Sequence, residues 1–226
     1  MNIAVLGTGT VGRTIAGKLA ELGHEVVVGT RDPESTLART DPDGMGNPPY
    51  SVWQADHRAI RLTGYAEAAA GAELVVNATG GSGSLDALGL AGAANLAGKV
   101  LLDISNPLDF SRGFPPSLFV KDTDSLAEQI QRAFPEARVV KSLNTMTAAV
   151  MVDPGRVGGG DHSTFVSGND ADAKKTVVDL LASMGHTDVI DLGDLSTARA
   201  AEMLLPVWLR LMGALGTPYL QFKIVR

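Results

Sequence analysis

The N-terminal segment restricts the possible folds more than any other part of the chain. Asn2–Leu6 is a short apolar run, typical of a buried parallel strand, and it leads directly into Gly7-Thr8-Gly9-Thr10-Val11-Gly12. Residues 10–22 then carry apolar side chains at helical spacing and stop at Gly23, and residues 25–29 form a second apolar run. Strand, glycine turn, helix and strand in this order predict a βαβ unit with a right-handed crossover.

The turn has the spacing G-x-G-x-x-G, and glycine is needed at each of the three positions for a different physical reason. Gly7 permits a tight turn, Gly9 lets a pyrophosphate approach the backbone, and Gly12 lets the helix pack closely on the strand. The start of the helix supplies free N–H groups and a partial positive charge for phosphates. Because the motif lies inside a βαβ unit, it predicts a dinucleotide site, and the alternative is a strand–helix turn that binds nothing.

The end of the second strand indicates which dinucleotide would bind. An NAD site usually places Asp or Glu there to hold the ribose 2′-hydroxyl, whereas this strand ends in Gly29-Thr30-Arg31. A hydroxyl and a guanidinium would bind a 2′-phosphate that a carboxylate would repel. We therefore predict NADP(H), with Thr30 and Arg31 as phosphate ligands. The alternative is that Arg31 is a solvated surface residue and Asp32 takes the acidic role.

The rest of the chain continues the alternation of strands and helices. Three more apolar runs predict buried strands at residues 73–78, 100–104 and 139–143, with helical patterns between them. This alternation predicts an α/β fold, a Rossmann-type doubly wound parallel sheet, over residues 1–144. A smaller C-terminal α/β cap domain is predicted over residues 145–226.

Several finer expectations come from turn residues and periodicity. Residues 41–50 contain prolines and glycines and predict a loop, and residues 85–96 predict one helix. Residues 195–215 form a long helical pattern that we expect to be interrupted at Pro206. Residues 221–225 predict a final strand.

Composition excludes several classes of protein. The 226 residues include no cysteine, which excludes disulfides, thiolate nucleophiles and cysteine-bound metals, and no histidine spacing indicates a metal site. A net charge of −6 disfavours binding to a nucleic-acid duplex. Because neither a targeting segment nor an apolar stretch of membrane-spanning length is visible, we expect a cytoplasmic protein that has no membrane or nucleic-acid partner.

The strand ends carry polar side chains that do not titrate near neutral pH. These are Asn77, Thr79, Ser105, Asn106, Asn144 and Thr145. In a doubly wound sheet the ligand lies at the carboxyl ends of the strands, so we expect these residues to face the cofactor and its reaction partner. Such a site favours hydride transfer between two stacked rings, in which catalysis is mostly placement, and it predicts no catalytic acid.

Taken together, the motifs resemble those of the F420-dependent NADP oxidoreductases, also called NADPH-dependent F420 reductases. The likeness covers nearly the whole chain and rests on five ordered segments: the glycine turn at 7–12, Gly29-Thr30-Arg31, residues 103–108 (DISNPL), residues 141–145 (KSLNT) and the helical pattern of residues 191–208. The resemblance implies a hydride transferred between NADP(H) and the deazaflavin coenzyme F420, in an enzyme that is usually a homodimer.

The resemblance also assigns roles to particular residues. Asn77, Ala78, Thr79 and Gly80 would flank the nicotinamide. The second ring, that of F420, would be lined by Asn106, Pro107, Asn144, Thr145, Met146, Leu204, Pro206 and Trp208. For the anionic tail of F420, the sequence offers Arg112, Lys121, Arg138 and Lys141 without a decisive pattern.

Two departures from the family pattern leave other acceptors open. The fourth strand is followed by Thr79-Gly80-Gly81-Ser82-Gly83, where the family often has proline or a bulky residue, and residues 41–56 form a longer insertion with Tyr50 and Trp53. Both could alter the second ligand. The alternatives are an NADPH-dependent reductase of an imine, a carbonyl compound, a flavin or ferric iron, and a non-catalytic NADP(H)-sensing module.

Overall fold

A computed structural model describes residues 1–43 and 46–226, and its central feature is an eight-stranded sheet. In chain order the strands are β1 (Asn2–Leu6), β2 (Glu25–Thr30), β3 (Arg61–Gly64), β4 (Leu74–Asn77), β5 (Val100–Asp103), β6 (Leu108–Asp109), β7 (Ser117–Leu118), β8 (Arg138–Ser142), β9 (Ser163–Gly168) and β10 (Asp188–Asp191). Of these, β6 and β7 form a separate antiparallel pair, and the other strands make the large sheet.

Helices fill most of the connections between these strands. They are α1 (Thr10–Glu21), α2 (Pro33–Ala38), α3 (Tyr50–Asp56), α4 (Tyr65–Ala70), α5 (Ser84–Ala91), α6 (Ala93–Leu96), α7 (Leu126–Ala133), α8 (Ala148–Val152), α9 (Ala171–Ser183) and α10 (Ala198–Leu215). In the part of the chain that is described, no helix combines the length and the apolar character that crossing a membrane requires.

The order of strands across the sheet is β10-β9-β8-β5-β4-β1-β2-β3. Neighbouring strands are parallel except β8 and β9, which pair antiparallel with Val140 opposite Gly168. The Rossmann-type α/β fold predicted from the sequence is therefore confirmed. Strands β9 and β10 extend the same sheet beyond residue 144, so the division into two domains at that residue stays a prediction.

Both faces of the sheet are buried, as expected for parallel strands. Ile3 and Val5 of β1 point into a core formed with α1 and α9, whereas Ala4 and Leu6 point into a second core formed with α4, α5 and α7. This explains why the strands read as continuous apolar runs rather than as an alternation of apolar and polar residues.

Three finer expectations are wrong, each for a local reason. The helix expected over residues 85–96 is split at Gly92, where φ is +91° and the backbone leaves the helical region. The helix α10 continues through Pro206 without the expected interruption; a proline removes only its own N–H donor from the helix. Residues 221–225 form no strand; Phe222 and Ile224 instead bond to Ser163 at the start of β9.

The loop expected over residues 41–50 extends to Pro49 in the described residues, and α3 begins at Tyr50. Gly44 and Met45 of this predicted loop lie outside the described residues. Elsewhere the first four predicted strands of the large sheet, and the strand predicted at residues 139–143, match observed strands to within a residue or two.

Candidate functional site

The glycine turn predicted to hold phosphates lies between β1 and α1, and its three glycines differ in what surrounds them. A Cβ on Gly7 would lie 2.6 Å from the carbonyl oxygen of Ala78, and φ at Gly7 is +123°. On Gly12 it would lie 2.0 Å from the carbonyl oxygen of Gly7, whereas on Gly9 it would meet nothing within 4 Å. Gly7 and Gly12 are therefore required by the packing of the protein itself, and Gly9 leaves open space.

The start of α1 has unsatisfied N–H groups facing this open space. Gly9 is the residue before the helix, and no side chain caps the first turn. These amides, together with the helix dipole, can bind the anionic oxygens of a pyrophosphate. The structure therefore brings together the predicted cofactor residues Gly7, Thr8, Gly9, Thr10, Val11 and Gly12 in the arrangement that the motif requires.

Thr30 ends β2 and Arg31 follows it, and both lie beside this turn because the Gly7 amide donates a hydrogen bond to the Gly29 carbonyl at 3.0 Å. Thr30 is buried, and its hydroxyl lies 3.0 Å from that of Thr36. Arg31 is exposed and makes neither a hydrogen bond nor an ion pair with any described residue. The guanidinium is thus free to bind an added phosphate.

Asp32 has a different role from the acidic one considered above. Its carboxylate accepts hydrogen bonds from the Ser35 amide at 3.0 Å and the Ser35 hydroxyl at 2.6 Å, and it caps the start of α2. These hydrogen bonds lower the pKa of Asp32. The carboxylate is therefore occupied in capping rather than pointed at a ribose.

A cleft of about 520 Å³ lies beside the glycine turn, and the insertion forms its other wall. The Asn47 amide donates to the Thr10 hydroxyl at 2.9 Å, and the Arg13 guanidinium donates to the Pro48 carbonyl at 2.6 Å. Tyr50 lines this cleft, and the Trp53 ring packs beside Tyr50, 5.2 Å between ring centroids. The insertion therefore lies beside the glycine turn that is predicted to hold phosphates. This position does not support the expectation that the insertion alters the second ligand.

A second pocket, of about 260 Å³, lies at the carboxyl ends of β4 and β5. We call it the strand-end pocket; it is lined by Val11, Ala78, Thr79, Gly80, Gly81, Ser82, Ile104, Ser105, Asn106, Leu108 and Phe110. It thus contains the predicted residues Val11, Ala78, Thr79, Gly80, Ser105 and Asn106. The sequence interpretation missed Gly81, although a Cβ there would lie 1.9 Å from the Asn106 carbonyl oxygen, and it missed the half-exposed Phe110.

Asn77 does not face this pocket as expected. Its side chain is fully buried and donates to Asp103 Oδ1 at 2.8 Å, while its own Oδ1 accepts a hydrogen bond from the Thr79 hydroxyl at 2.7 Å. The physical reason is that the neighbouring strand presents a buried carboxylate, which is a stronger partner than solvent. Asn77 therefore orients Thr79 and does not itself present a side chain to a ligand.

The residues predicted to line the second ring occupy mixed positions. Asn144 is buried and donates to Asn106 Oδ1 and to the Ala201 carbonyl, each at 3.0 Å, so it joins the rim of the strand-end pocket to α10. Pro107 is buried next to that rim. The Trp208 indole donates to the Leu220 carbonyl at 3.2 Å and packs against Leu205.

Of the eight predicted second-ring residues, only Asn106 is among the described residues that line the strand-end pocket; the other seven do not: Pro107, Asn144, Thr145, Met146, Leu204, Pro206 and Trp208. Lys141, named as a candidate for an anionic tail, is fully buried and forms an ion pair with Asp103, so it cannot reach such a tail. The contacts of the second ring stay a prediction.

Comparison with known proteins agrees with this geometry. Residues 2–107 match the family described as NADP oxidoreductase coenzyme F420-dependent. A crystal structure from Arthrobacter sp. FB24, provisionally named as an F420-dependent NADP reductase, is 66% identical, covers 100% of both chains and has a TM-score of 0.96.

Two curated relatives match over most of this chain. The F420-dependent NADP reductase of Methanothermobacter marburgensis is 28% identical over 93% of this chain and 92% of that protein. The rat metalloreductase STEAP3 is 30% identical over 91% of this chain, and the chain spans 37% of the length of that protein.

Proposed function

We propose that this chain, which belongs to the F420-dependent NADP oxidoreductase family, transfers a hydride between NADP(H) and coenzyme F420. The observation that carries the proposal is that the glycine turn, Arg31 and the strand-end pocket follow three strands, β1, β2 and β4, that are adjacent in the sheet and parallel. Their carboxyl ends therefore form one edge, along which a dinucleotide can lie extended.

The residues of this edge fit the parts of NADP(H). The free amides at the start of α1 would hold the pyrophosphate in the space that Gly9 leaves open. Arg31 would pair with the 2′-phosphate, because its guanidinium makes no hydrogen bond or ion pair with residues 1–43 and 46–226. Thr79, fixed by its hydrogen bond to Asn77, would orient the nicotinamide at the strand-end pocket.

When bound, NADP(H) supplies or accepts the hydride at its nicotinamide ring. The task of the protein is then to hold two flat rings about 3–3.5 Å apart and to exclude water. The apolar lining of Val11, Ile104 and Leu108 serves the second task, and half-exposed Phe110 lies beside them. No side chain is needed as an acid, because the one proton that balances the hydride would be taken up from solvent by a ring nitrogen of F420 on its reduction and released to solvent on its oxidation.

The proposal includes finer assignments. Thr145, Met146, Leu204, Pro206 and Trp208 would approach F420 from the C-terminal part, residues 145–226. A cytoplasmic location is also part of the proposal.

We further propose a homodimer formed through α10. One side of this helix exposes four apolar residues at a spacing of four: Met203, Val207, Leu211 and Leu215. An exposed apolar stripe of this kind is typical of an interface.

The direct test mixes the purified protein with NADPH and oxidised F420 without oxygen and follows the visible absorbance of the deazaflavin. Bleaching with NADPH, and much slower bleaching with NADH, is the expected result. Absence of bleaching by protein that binds NADPH would reject F420 as the acceptor.

A second candidate is reduction of ferric iron or a flavin by NADPH. The observation that favours it is the match to rat metalloreductase STEAP3 over 91% of this chain. Turnover of a ferric chelate or a free flavin with NADPH, together with no turnover of F420, would select this function. Tight NADPH binding with no turnover of any acceptor would select the sensing module.

A further inference from the structure

A buried lysine lies beneath the strand-end pocket in a position that the proposed reaction does not explain. The Lys141 side chain, on β8, is completely inaccessible to solvent. Its Nζ lies 2.8 Å from Asp103 Oδ2 on β5 and 3.0 Å from Glu202 Oε1 on α10, and it also donates to the Ser105 carbonyl. We call Lys141, Asp103 and Glu202 the Lys141 cluster.

Lys141 is held as an ammonium ion by its two acidic neighbours, Asp103 and Glu202. Burial by itself would lower the pKa of Lys141, but the carboxylates of Asp103 and Glu202 outweigh burial and raise it, so the lysine stays protonated. Two carboxylates against one ammonium leave one excess negative charge. Glu202 also accepts hydrogen bonds from the amides of Leu126 at 2.9 Å and Ala127 at 3.1 Å, where the dipole at the start of α7 favours that charge.

Stability alone does not account for such a cluster. Replacing a buried ion pair by apolar residues of similar volume is often neutral or stabilising, because desolvation offsets the attraction between the charges. A lysine between two carboxylates in the core therefore calls for a role that apolar packing would not fill, namely a fixed geometry.

The geometry that the cluster fixes is that of the pocket rim. Asp103 Oδ1 accepts hydrogen bonds from Asn77 Nδ2 at 2.8 Å and from the Ser105 hydroxyl at 2.6 Å. Asn77 in turn holds the Thr79 hydroxyl. Because Thr79 and Ser105 line the strand-end pocket on its two sides, both walls are connected through Asp103 to Lys141, and through Glu202 to α10.

We propose that Lys141 is a positioning residue for hydride transfer, which sets the separation of the loops that carry Thr79 and Ser105 and ties them to α10. The proposal rests on the proposed function, in which the nicotinamide lies against Thr79. In a reaction that uses no acid, a misplacement of about 1 Å can cost roughly 100-fold in rate, so the rigidity of this rim has direct kinetic value.

The chain offers a matched control in Lys174 on α9. Its Nζ lies 2.8 Å from Asp191 Oδ2 and 3.1 Å from the Gly193 carbonyl, and its side chain is 16% exposed. Like Lys141, it is a lysine that binds a carboxylate and a carbonyl, although it has one carboxylate partner rather than two. Neither it nor its partners line the strand-end pocket. A purely structural effect should appear in both lysine variants.

The experiment compares Lys141→Met, Glu202→Gln and Lys174→Met with the unmodified protein. Each is measured for its thermal midpoint, for its NADPH dissociation constant and for kcat with F420, at a temperature well below every midpoint. We expect Lys141→Met to lower kcat by about 30-fold, and Glu202→Gln by about 5-fold, while NADPH affinity changes by less than about twofold. Lys174→Met should keep its kcat within about twofold.

Equal losses of kcat in Lys141→Met and Lys174→Met, or an unchanged kcat in Lys141→Met, would overturn the proposal. If Lys141→Met does not fold, Glu202→Gln decides alone, since it keeps the Lys141–Asp103 pair; an unchanged kcat would then overturn the proposal.

A readout that does not need F420 separates this proposal from the proposed function. The fluorescence emission of NADPH bound to the protein reports how firmly the nicotinamide ring is held. If the unmodified protein fails to reduce F420, the proposed function fails, yet Lys141→Met should still reduce this emission relative to Lys174→Met. Equal emission in these two variants would reject the positioning role.

Discussion

The phosphate turn and the strand-end pocket occupy the same edge of the sheet, but they are built in opposite ways. The turn consists of six consecutive residues, Gly7 to Gly12, and offers main-chain amides whose placement depends on the absence of side chains. The pocket draws its walls from Val11 and from the segments 78–82 and 104–110, and its rim is held by buried side chains as far along the chain as Lys141 and Glu202. The difference teaches that a site made of backbone is local in sequence, whereas a site made of buried polar side chains is not.

The largest expected effect comes from the turn. Gly12→Ala places a Cβ 2.0 Å from the Gly7 carbonyl oxygen, so we expect a loss of about 3 kcal/mol in the free energy of unfolding and no NADPH binding. Gly9→Ala is the control, because its Cβ meets nothing within 4 Å. Urea unfolding and NADPH titration should show Gly9→Ala as stable as the original but weaker in NADPH affinity, by roughly 100-fold. Equal stability of the two variants would break the comparison.

The pocket has a corresponding pair of glycines. Gly81→Ala places a Cβ 1.9 Å from the Asn106 carbonyl oxygen and so pushes the two strand-end loops apart, whereas a Cβ on Gly80 meets nothing within 4 Å. Because forcing a Cβ into a packed contact typically costs about 1–3 kcal/mol, we expect Gly81→Ala to cost about 2 kcal/mol in unfolding free energy, and Gly80→Ala almost nothing.

NADPH affinity sharpens the test of Gly81. It should stay near its original value in Gly81→Ala, because the phosphate contacts lie elsewhere. A large loss of NADPH affinity in this variant would mean that the two sites do not act separately.

Arg31 provides a smaller, purely local effect. Arg31→Ala should weaken NADPH binding by about 2 kcal/mol, the typical value of hydrogen bonds to a charged group, and leave NADH binding unchanged. Its thermal midpoint should not move, since the guanidinium has no partner among the described residues. Titration with both nucleotides checks this, and an equal loss for NADH and NADPH would contradict the 2′-phosphate contact.

The smallest expected effect concerns an ion pair outside both sites. Arg132 donates to Asp124 at 3.0 and 2.7 Å and holds the pKa of Asp124 at about 2, below its ordinary 3.8. A lowered pKa means that the pair stabilises the fold fully above pH 3.8 and progressively less as the pH falls to about 2. Because the pair is partly exposed and water screens it, its contribution to the free energy of unfolding is about 1 kcal/mol.

Asp124→Asn isolates this contribution from that of other carboxylates. The difference in unfolding free energy between Asp124→Asn and the original protein should be largest near neutral pH and shrink as the pH falls below about 4. A difference that is constant with pH would contradict the ion pair. Comparing the loss of stability in Asp124→Asn with that in Lys141→Met then shows how much more a buried charged cluster contributes to stability than an exposed ion pair.

The outcome of the sequence interpretation follows the same division. The strand–turn–helix–strand unit was predictable, because glycine spacing and apolar runs act locally, whereas the role of Arg31 at the strand end stays a prediction. The family expected from the motifs is also the one that the comparisons show. Asn77 was predicted to face a ligand, yet it faces Asp103, which is 26 positions away along the chain.

Lys141 illustrates the limit most clearly. A lysine at a strand end reads as a surface cation, and only the pairing of β5 with β8, which sets Asp103 opposite Lys141, shows that it is in the core. The break at Gly92 was missed for a related reason, since a positive φ cannot be inferred from an isolated glycine in a helical pattern. The position of the insertion beside the glycine turn could not be read from the sequence either, because its bonds to Thr10 and Arg13 are set by tertiary packing.

The antiparallel pairing of β8 with β9 has a consequence for any attempt to divide the protein. Strand β8 carries apolar residues toward both cores, Val139 and Val140, and β9 covers its outer edge. A fragment that stopped after β8 would leave that edge with unpaired amides and carbonyls and would remove the α9 side chains that pack in the core of Val140, so the edge would be a template for self-association. By covering the outer edge of β8, strand β9 therefore protects the protein against aggregation.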